Sequence, residues 1–264
     1  MEIVEASSFG EFERELNTLR DFHSKKSEEH ELVISNLLFR GQRDADWPLE
    51  TTLERYLGRQ VALREYHLSL LRIKSAVESY TRREWKVPRE PKFGEDYVAN
   101  LPGYEFMVYA RHHGFPSPLL DWTRSPYIAL FFAFQHASLD AKVAIYGYIE
   151  RPDGAKSGWV GAPEIIGQGR YATTHARHFT QQAEYTICVE KPESKWMYSS
   201  HESYFEKNEV HQDYLKKIVL PGSIKNDILK KLDSMNINSY TLFENDEGLM
   251  EMLAFREVMA REKL

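Results

Sequence analysis

Cysteine is almost missing from this 264-residue sequence, which holds Cys188 and no other. A lone thiol closes no internal disulfide and has no thiol neighbours for a metal site, a usage that fits a reducing compartment, so a cytoplasmic protein is expected. No run of 18 or more apolar residues occurs, and the start Met1-Glu2-Ile3-Val4-Glu5 is neither a basic leader nor a transit peptide. Neither membrane spanning nor Sec export is therefore expected. Basic excess is also missing: 34 Lys and Arg stand against 40 Asp and Glu, a net charge of −6. That balance argues against wholesale wrapping of nucleic acid and leaves room for a small basic face at one cleft. There is no Gly-x-Gly-x-x-Gly and no Walker loop, so Rossmann and kinase readings have no support. No internal repeat or low-complexity tract is found.

What is present is core material: 42% hydrophobic residues, with 15 Tyr, 14 Phe and 5 Trp, enough for a packed domain rather than a disordered chain. Ser8 and Glu11 form a capping-box pattern ahead of Phe12, Leu16, Leu19 and Phe22 at helical spacing, and a charged turn around Ser24 to His30 is expected to end that helix. Leu32 to Phe39 reads as a short buried strand, which puts Arg40 at a strand's end. Leu63, Tyr66, Leu70, Ile73, Val77 and Tyr80 mark an amphipathic helix over about 61–80. A Pro-punctuated loop spans 82–96, and a helix over 103–112 is stopped by Gly114, Pro116 and Pro118. Ser125 is a suitable N-cap and Pro126 a suitable first helical residue for the apolar helix Ile128–Phe134. Strands are expected at 142–150, 184–190, 217–220 and 240–243, and helices at about 224–235 and 247–261. The sum is one α+β domain over 1–264, with residues 1–31 a helical segment packed on it.

Four separated stretches carry a family resemblance. They are Leu38-Phe39-Arg40-Gly41-Gln42 with Asp46-Trp47-Pro48-Leu49; His112-His113-Gly114-Phe115-Pro116-Ser117 leading into Leu119-Leu120-Asp121-Trp122-Thr123 and Ala129-Leu130-Phe131-Phe132-Ala133; Arg177 with Gln181-Gln182 and Tyr185; and Tyr240-Thr241-Leu242-Phe243 before Gly248-Leu249. Together they resemble the FRG domain family, named for its Phe-Arg-Gly motif. Arg111 stands where that family usually has Gln, Ser117-Pro118 replace Thr-Arg, and Ala183 replaces a common Gly.

The FRG pattern is in turn similar to the Arg-Ser-Glu class of ADP-ribosyltransferases. That resemblance implies split mixed and antiparallel sheets around a cleft with flanking helices, NAD as the substrate, and three contributions in chain order: Arg40, the Thr123-Arg124-Ser125 segment before a helix, and Gln182-Ala183-Glu184 opening a later strand. In such a site breaking the nicotinamide glycosidic bond develops an oxocarbenium-like ribose, which a carboxylate opposes; Glu184 is the residue for that role. Arg40 would grip the pyrophosphate with a permanently charged planar fork. Gln182, two residues from Glu184 on a strand, would share its face and orient the acceptor. Arg40, Gly41, Gln42, His113, Thr123, Ser125 and Tyr185 would shape the NAD pocket. The macromolecular acceptor would be nucleic acid, RNA ahead of protein, in a toxin or phage-defence setting that implies a neutralising antitoxin partner. Alternatives are a protein-modifying transferase, an NAD glycohydrolase, and a non-catalytic nucleotide- or peptide-binding FRG module.

Each site residue also has a plainer reading. Arg40 would pair with an acid such as Asp44, and Glu184 would face solvent. His113 would cap a helix C-terminus, and Tyr185 and Phe179 would be core. Asp121 and Trp122 read as architecture, the Asp accepting backbone or arginine hydrogen bonds. Adjacent histidines without an i,i+4 partner or a cysteine cluster do not make a metal site. Cys188 among apolar strand residues reads as inert. Lys25-Lys26 and Arg82-Arg83-Glu84-Trp85-Lys86 read as solvated charge or as phosphate contacts with Trp85 interleaved.

Overall fold

The computed structural model describes residues 1–29, 35–154, 162–169, 176–207 and 212–259. The first half runs β1 (Glu2–Glu5), α1 (Phe9–Glu29), β2 (Leu38–Gln42), α2 (Thr52–Leu57), β3 (Val61–Ala62), α3 (Leu63–Thr81), α4 (Glu95–Ala99), α5 (Tyr104–His112), β4 (Leu120–Thr123) and α6 (Pro126–Phe134). The second half runs β5 (Lys142–Ile149), β6 (Glu164–Gly167), α7 (Ala176–Thr180), β7 (Ala183–Glu190), β8 (Met197–Tyr198), α8 (His201–Lys207), β9 (Tyr214–Pro221), α9 (Lys225–Ser234), α10 (Ser239–Phe243) and α11 (Asp246–Ala254). A π-turn over Phe255–Met259 continues α11.

The strands make one mixed sheet among the described residues, ordered β1-β9-β5-β2-β4-β7-β8-β3, with β6 also paired to β7. β1 lies parallel to β9, and the other pairings are antiparallel. Strand alternation divides the core. One cluster packs α1, α6 and α9 against Phe39, Ile145, Ile218 and Leu220, using Phe12, Leu16, Leu19, Phe134 and Leu232. A second packs α3, α4 and α5 against Tyr185, Ile187 and Val189 of β7, using Leu70, Tyr97, Phe106 and Met107. Leu38, Trp122, Tyr146, Tyr148 and Cys188 belong to a third. The first two clusters serve different halves of the sheet, and β2 and β4 are where those halves meet.

Local chemistry explains the elements flanking that seam. Ser125 accepts from the Ile128 amide at 3.3 Å and Pro126 opens α6, as the sequence indicated. The helix lies so close to β2 that a Cβ on Gly41 would stand 1.9 Å from the Ala129 carbonyl oxygen. Only glycine permits that approach. At the first helix, Ser8 Oγ accepts from the Glu11 amide, but the Glu11 carboxylate turns back to Ser7 rather than Ser8.

Several expectations need correction. Instead of breaking near Ser24, α1 continues to Glu29, and Lys25 and Lys26 pair with Glu29 along its last turn. Among the described residues the early strand excludes 35–37, begins at Leu38 and reaches Gln42, because its ladder with β5 runs from Leu38↔Tyr148 to Gln42↔Ala144. Arg40 is therefore mid-strand; positions 32–34 of the expected strand lie outside the described residues. Tyr240–Phe243, expected as a strand, is helix α10: Asn238 and Thr241 form a reciprocal capping box, a local signal that outweighs the aromatic and β-branched composition. The last expected helix becomes α11 and the π-turn, and its final positions 260–261 are outside the described residues. The split expected between two sheets is instead a seam within one sheet.

Candidate functional site

β2 and β4 share one rung, Phe39↔Thr123. Beyond it β2 follows β5 to Gln42 while β4 follows β7 back to Leu120, so the two strands separate. The Arg40 side chain crosses the gap, its Nη1 donating to the Asp121 carbonyl oxygen at 2.9 Å. The separation opens a cleft of about 420 Å³ lined by Phe39, Arg40, Gly41, Thr52, Arg111, His112, Asp121, Trp122, Thr123, Phe132, Arg177, Gln181, Ala183, Tyr185 and Phe243.

Three guanidinium groups line this cleft against one carboxylate. Arg111, from the end of α5, makes a bidentate pair with Asp121 and also donates to Thr52 Oγ1 at 2.7 Å. Burial alone would raise the Asp121 carboxyl, but the Arg111 fork, with Arg40 next, holds it below the usual carboxylate range. Arg40 is half-buried overall, while its Nε is sealed from solvent and lacks a hydrogen-bond partner. Burial brings its pKa down to about 10, with Asp121 opposing and Arg111 adding to the shift. It stays cationic at neutral pH. Arg177 Nε donates to the Phe243 carbonyl oxygen at 3.1 Å, with its guanidinium 5.7 Å from the Phe243 ring centroid. The Tyr185 hydroxyl and His112 Nε2 share a hydrogen bond at 2.9 Å, and burial raises the Tyr185 pKa. Such a recess, cationic with aromatic walls, suits a ligand bearing phosphate and a flat ring.

Of the residues expected at the site, Arg40, Gly41, Thr123 and Tyr185 line the cleft. Thr123 Oγ1 donates to the Gln181 carbonyl oxygen at 2.7 Å, fixing that wall. The others stand elsewhere. Ser125 is committed to capping α6 and is not among the lining residues. His113 caps the end of α5 and packs on Tyr109, with ring centroids 4.3 Å apart. One residue is about 100° of helix, so it is His112 that faces the cleft. Gln42 lines an adjoining groove instead. Gln182 is exposed at φ 48 in the turn before β7, outside the strand alternation that was to place it beside Glu184. Gln181 lines the cleft in its stead.

Glu184 is the main correction. It is 6% exposed, opposite Trp122 on β7, and its Oε1 accepts from Asn36 Nδ2 at 3.2 Å and lies 3.6 Å from Arg124 Nε. Ala183 and Tyr185, its neighbours on β7, line the cleft and Glu184 does not. Alternation along the strand accounts for this, since adjacent residues point to opposite faces. Arg40 and Glu184 thus do not share the one cleft expected of them.

Sequence reasoning passed over Arg111, Arg177, Phe132 and Phe243 as cleft residues. Arg111 carried a signal, being a departure from the family pattern on the last turn of a helix ten residues before an aspartate. Phe179 is 84% exposed, Trp85 is buried under Arg83, and the Trp122 indole donates to Thr186 Oγ1 at 2.8 Å. Among the described residues no group of three or more His, Cys, Asp and Glu could hold a metal, and no helix is long and apolar enough to cross a membrane.

The family model for the FRG domain matches residues 35–142. That match contains the cleft wall bearing Arg40, Arg111, Asp121 and Phe132; the wall bearing Arg177, Gln181, Tyr185 and Phe243 lies beyond it. No curated protein and no solved structure matches the chain.

Proposed function

We propose that this chain, which carries an FRG domain, binds NAD in the cleft at the β2–β4 seam and transfers its ADP-ribose to a macromolecule, RNA ahead of protein. The observation that carries the binding half is Arg40: a guanidinium held on a strand carbonyl in a cleft that Arg111, Arg177, Phe132 and Phe243 also line. A pyrophosphate is the ligand group matched to several guanidiniums lining one cleft, and Phe132 and Phe243 supply surfaces for nicotinamide or adenine.

The reaction would break the bond between ribose C1′ and the nicotinamide nitrogen, the bonding pair leaving with nicotinamide. An acceptor nitrogen or oxygen would bond to C1′ and lose its proton. Support for this half is the Gln-x-Glu resemblance at the start of β7, with Glu184 opposing charge on the ribose. It requires the ribose to reach the face of β7 on which Asn36 and Arg124 hold the Glu184 carboxylate, opposite to the face that Ala183 and Tyr185 turn to the cleft. An enzyme of this kind acting in its own cell would call for a neutralising partner, as in a toxin or phage-defence effector.

A second reading is favoured by the position of Glu184 itself. With that carboxylate held outside the cleft, the domain would be a nucleotide-binding module without catalysis. The two are separated by incubating the protein with NAD labelled in the adenylate, with and without cell extract, then treating portions with protease or ribonuclease. Ribonuclease-sensitive label that disappears in Glu184→Gln supports transfer to RNA. Protease-sensitive label moves the acceptor to protein, and free ADP-ribose alone identifies a glycohydrolase. Binding of NAD without consumption supports the non-catalytic module; neither binding nor consumption sinks the NAD assignment.

A further inference from the structure

We infer that a second groove, adjoining the cleft at Arg40, is a binding site for single-stranded nucleic acid. It rests on the proposed transfer for its purpose, as the place where the acceptor strand lies, but on separate residues for its existence. The groove has a volume of about 410 Å³ and meets the cleft at Arg40, Gly41 and Phe132; Gln42, Arg43, Trp47, Glu50, Arg55 and His136 are among its own lining.

Trp47 is 37% exposed, and the Arg43 guanidinium stands 4.8 Å from its ring centroid. A π face beside a cation is the pairing on which a splayed base stacks while its phosphate is neutralised. Neither Arg43 nor Arg55 has an ion pair among the described residues, in a chain whose net charge is −6. Free arginines collected at one recess of an acidic protein point to an anionic partner. Glu50 is the one carboxylate in the lining, against Arg40, Arg43 and Arg55. The third observation is independent of charge. Gln42 is 6% exposed and gives its Nε2 to the Pro48 carbonyl oxygen at 3.1 Å, while its buried Oε1 has no partner. An orphaned buried acceptor in a groove wall awaits a donor, and a base amine or a 2′-hydroxyl provides one. A duplex keeps its bases stacked and out of reach of an indole in a recess, so the single strand is the form that fits.

The test uses the full chain and no NAD. Fluorescence anisotropy is measured with labelled single-stranded RNA and DNA oligonucleotides, a duplex of equal length and a polyglutamate peptide, beside calorimetry with ADP-ribose to follow the cleft. We expect single strands to bind ahead of duplex and polyglutamate. Trp47→Ala should weaken them about tenfold and Trp47→Phe restore most of the loss. Arg43→Gln with Arg55→Gln should lower the slope of log affinity against log salt by about 1.4. All these variants should keep wild-type ADP-ribose binding, which also reports that they fold. Polyglutamate binding as tightly as RNA, or variants indistinguishable from wild type, would overturn the groove assignment. Oligonucleotide binding that depends on Trp47 in a protein that ignores NAD would leave the groove standing and remove the transferase.

Discussion

Arg40 Nη1 donates to the Asp121 carbonyl oxygen at 2.9 Å, a side chain taking the place of the backbone rungs that β2 and β4 lack beyond Phe39↔Thr123. The same planar fork that bridges the two strands also lines the cleft between them. Lysine has one charged centre and cannot hold the strand carbonyl and a phosphate oxygen in the same geometry. Arg40→Lys is therefore expected to weaken ADP-ribose binding by about 2 kcal/mol, the scale of one charged hydrogen bond. Calorimetry on a variant shown by circular dichroism to be folded checks this; wild-type affinity would remove Arg40 from the site.

Gly41→Ala tests the contact beneath the cleft. The added Cβ meets α6 backbone, which cannot swing aside as a flexible side chain would. A loss of about 3 kcal/mol or more is expected in urea unfolding, at the upper end of overpacking costs. An unchanged midpoint would mean that α6 can move away from β2.

Gln182 separates a catalytic from a conformational reading. Its φ of 48 is left-handed and it is exposed in a turn. Gln182→Gly should raise stability by up to about 1 kcal/mol, because glycine adopts this backbone without the Cβ clash while giving back part of the gain as unfolded-state entropy. Nucleotide binding should persist in that variant and fall in Gln181→Ala. The reverse pattern in calorimetry would restore Gln182 to the site.

His201 makes stability depend on pH. Burial first, then the nearby Arg40 charge, drives its pKa down to about 3. The folded protein keeps it neutral, with Nε2 in a hydrogen bond to Thr186 Oγ1 at 2.8 Å. An unfolded chain takes up the proton below about 6.5, so stability contributed by neutral His201 is lost as pH falls from there towards 3. Between pH 7 and pH 5 the loss from this group should be about 2 kcal/mol. Urea midpoints at the two pH values, wild type against His201→Gln, should show a smaller drop in the variant; equal drops would contradict a buried neutral imidazole.

The candidate site was partly legible in the linear pattern. Arg40-Gly41 and Asp121-Trp122-Thr123 stand out as motifs, and both strands of the seam carry them. Rotation about α5 and the left-handed turn at Gln182 shift the working residues by one position, from His113 to His112 and from Gln182 to Gln181. A one-residue offset is invisible to motif matching, because it depends on the dihedral angles at helix and strand ends. Arg177 and Phe243 lie more than 130 residues from Arg40 along the chain, and nothing local ties them to one cavity.

Composition, capping residues and apolar spacing were sufficient by themselves to determine an α+β fold and the course of α3, α5, α6, β5 and β7. These depend on interactions within a few residues, which the order of amino acids states directly. Which strand pairs with which, where β2 and β4 part, and that Glu184 turns to Arg124 and Asn36 instead of the cleft were settled only when the chain closed on itself. Contacts between distant segments are chosen by the packing of the whole core, and no short stretch of sequence contains that information.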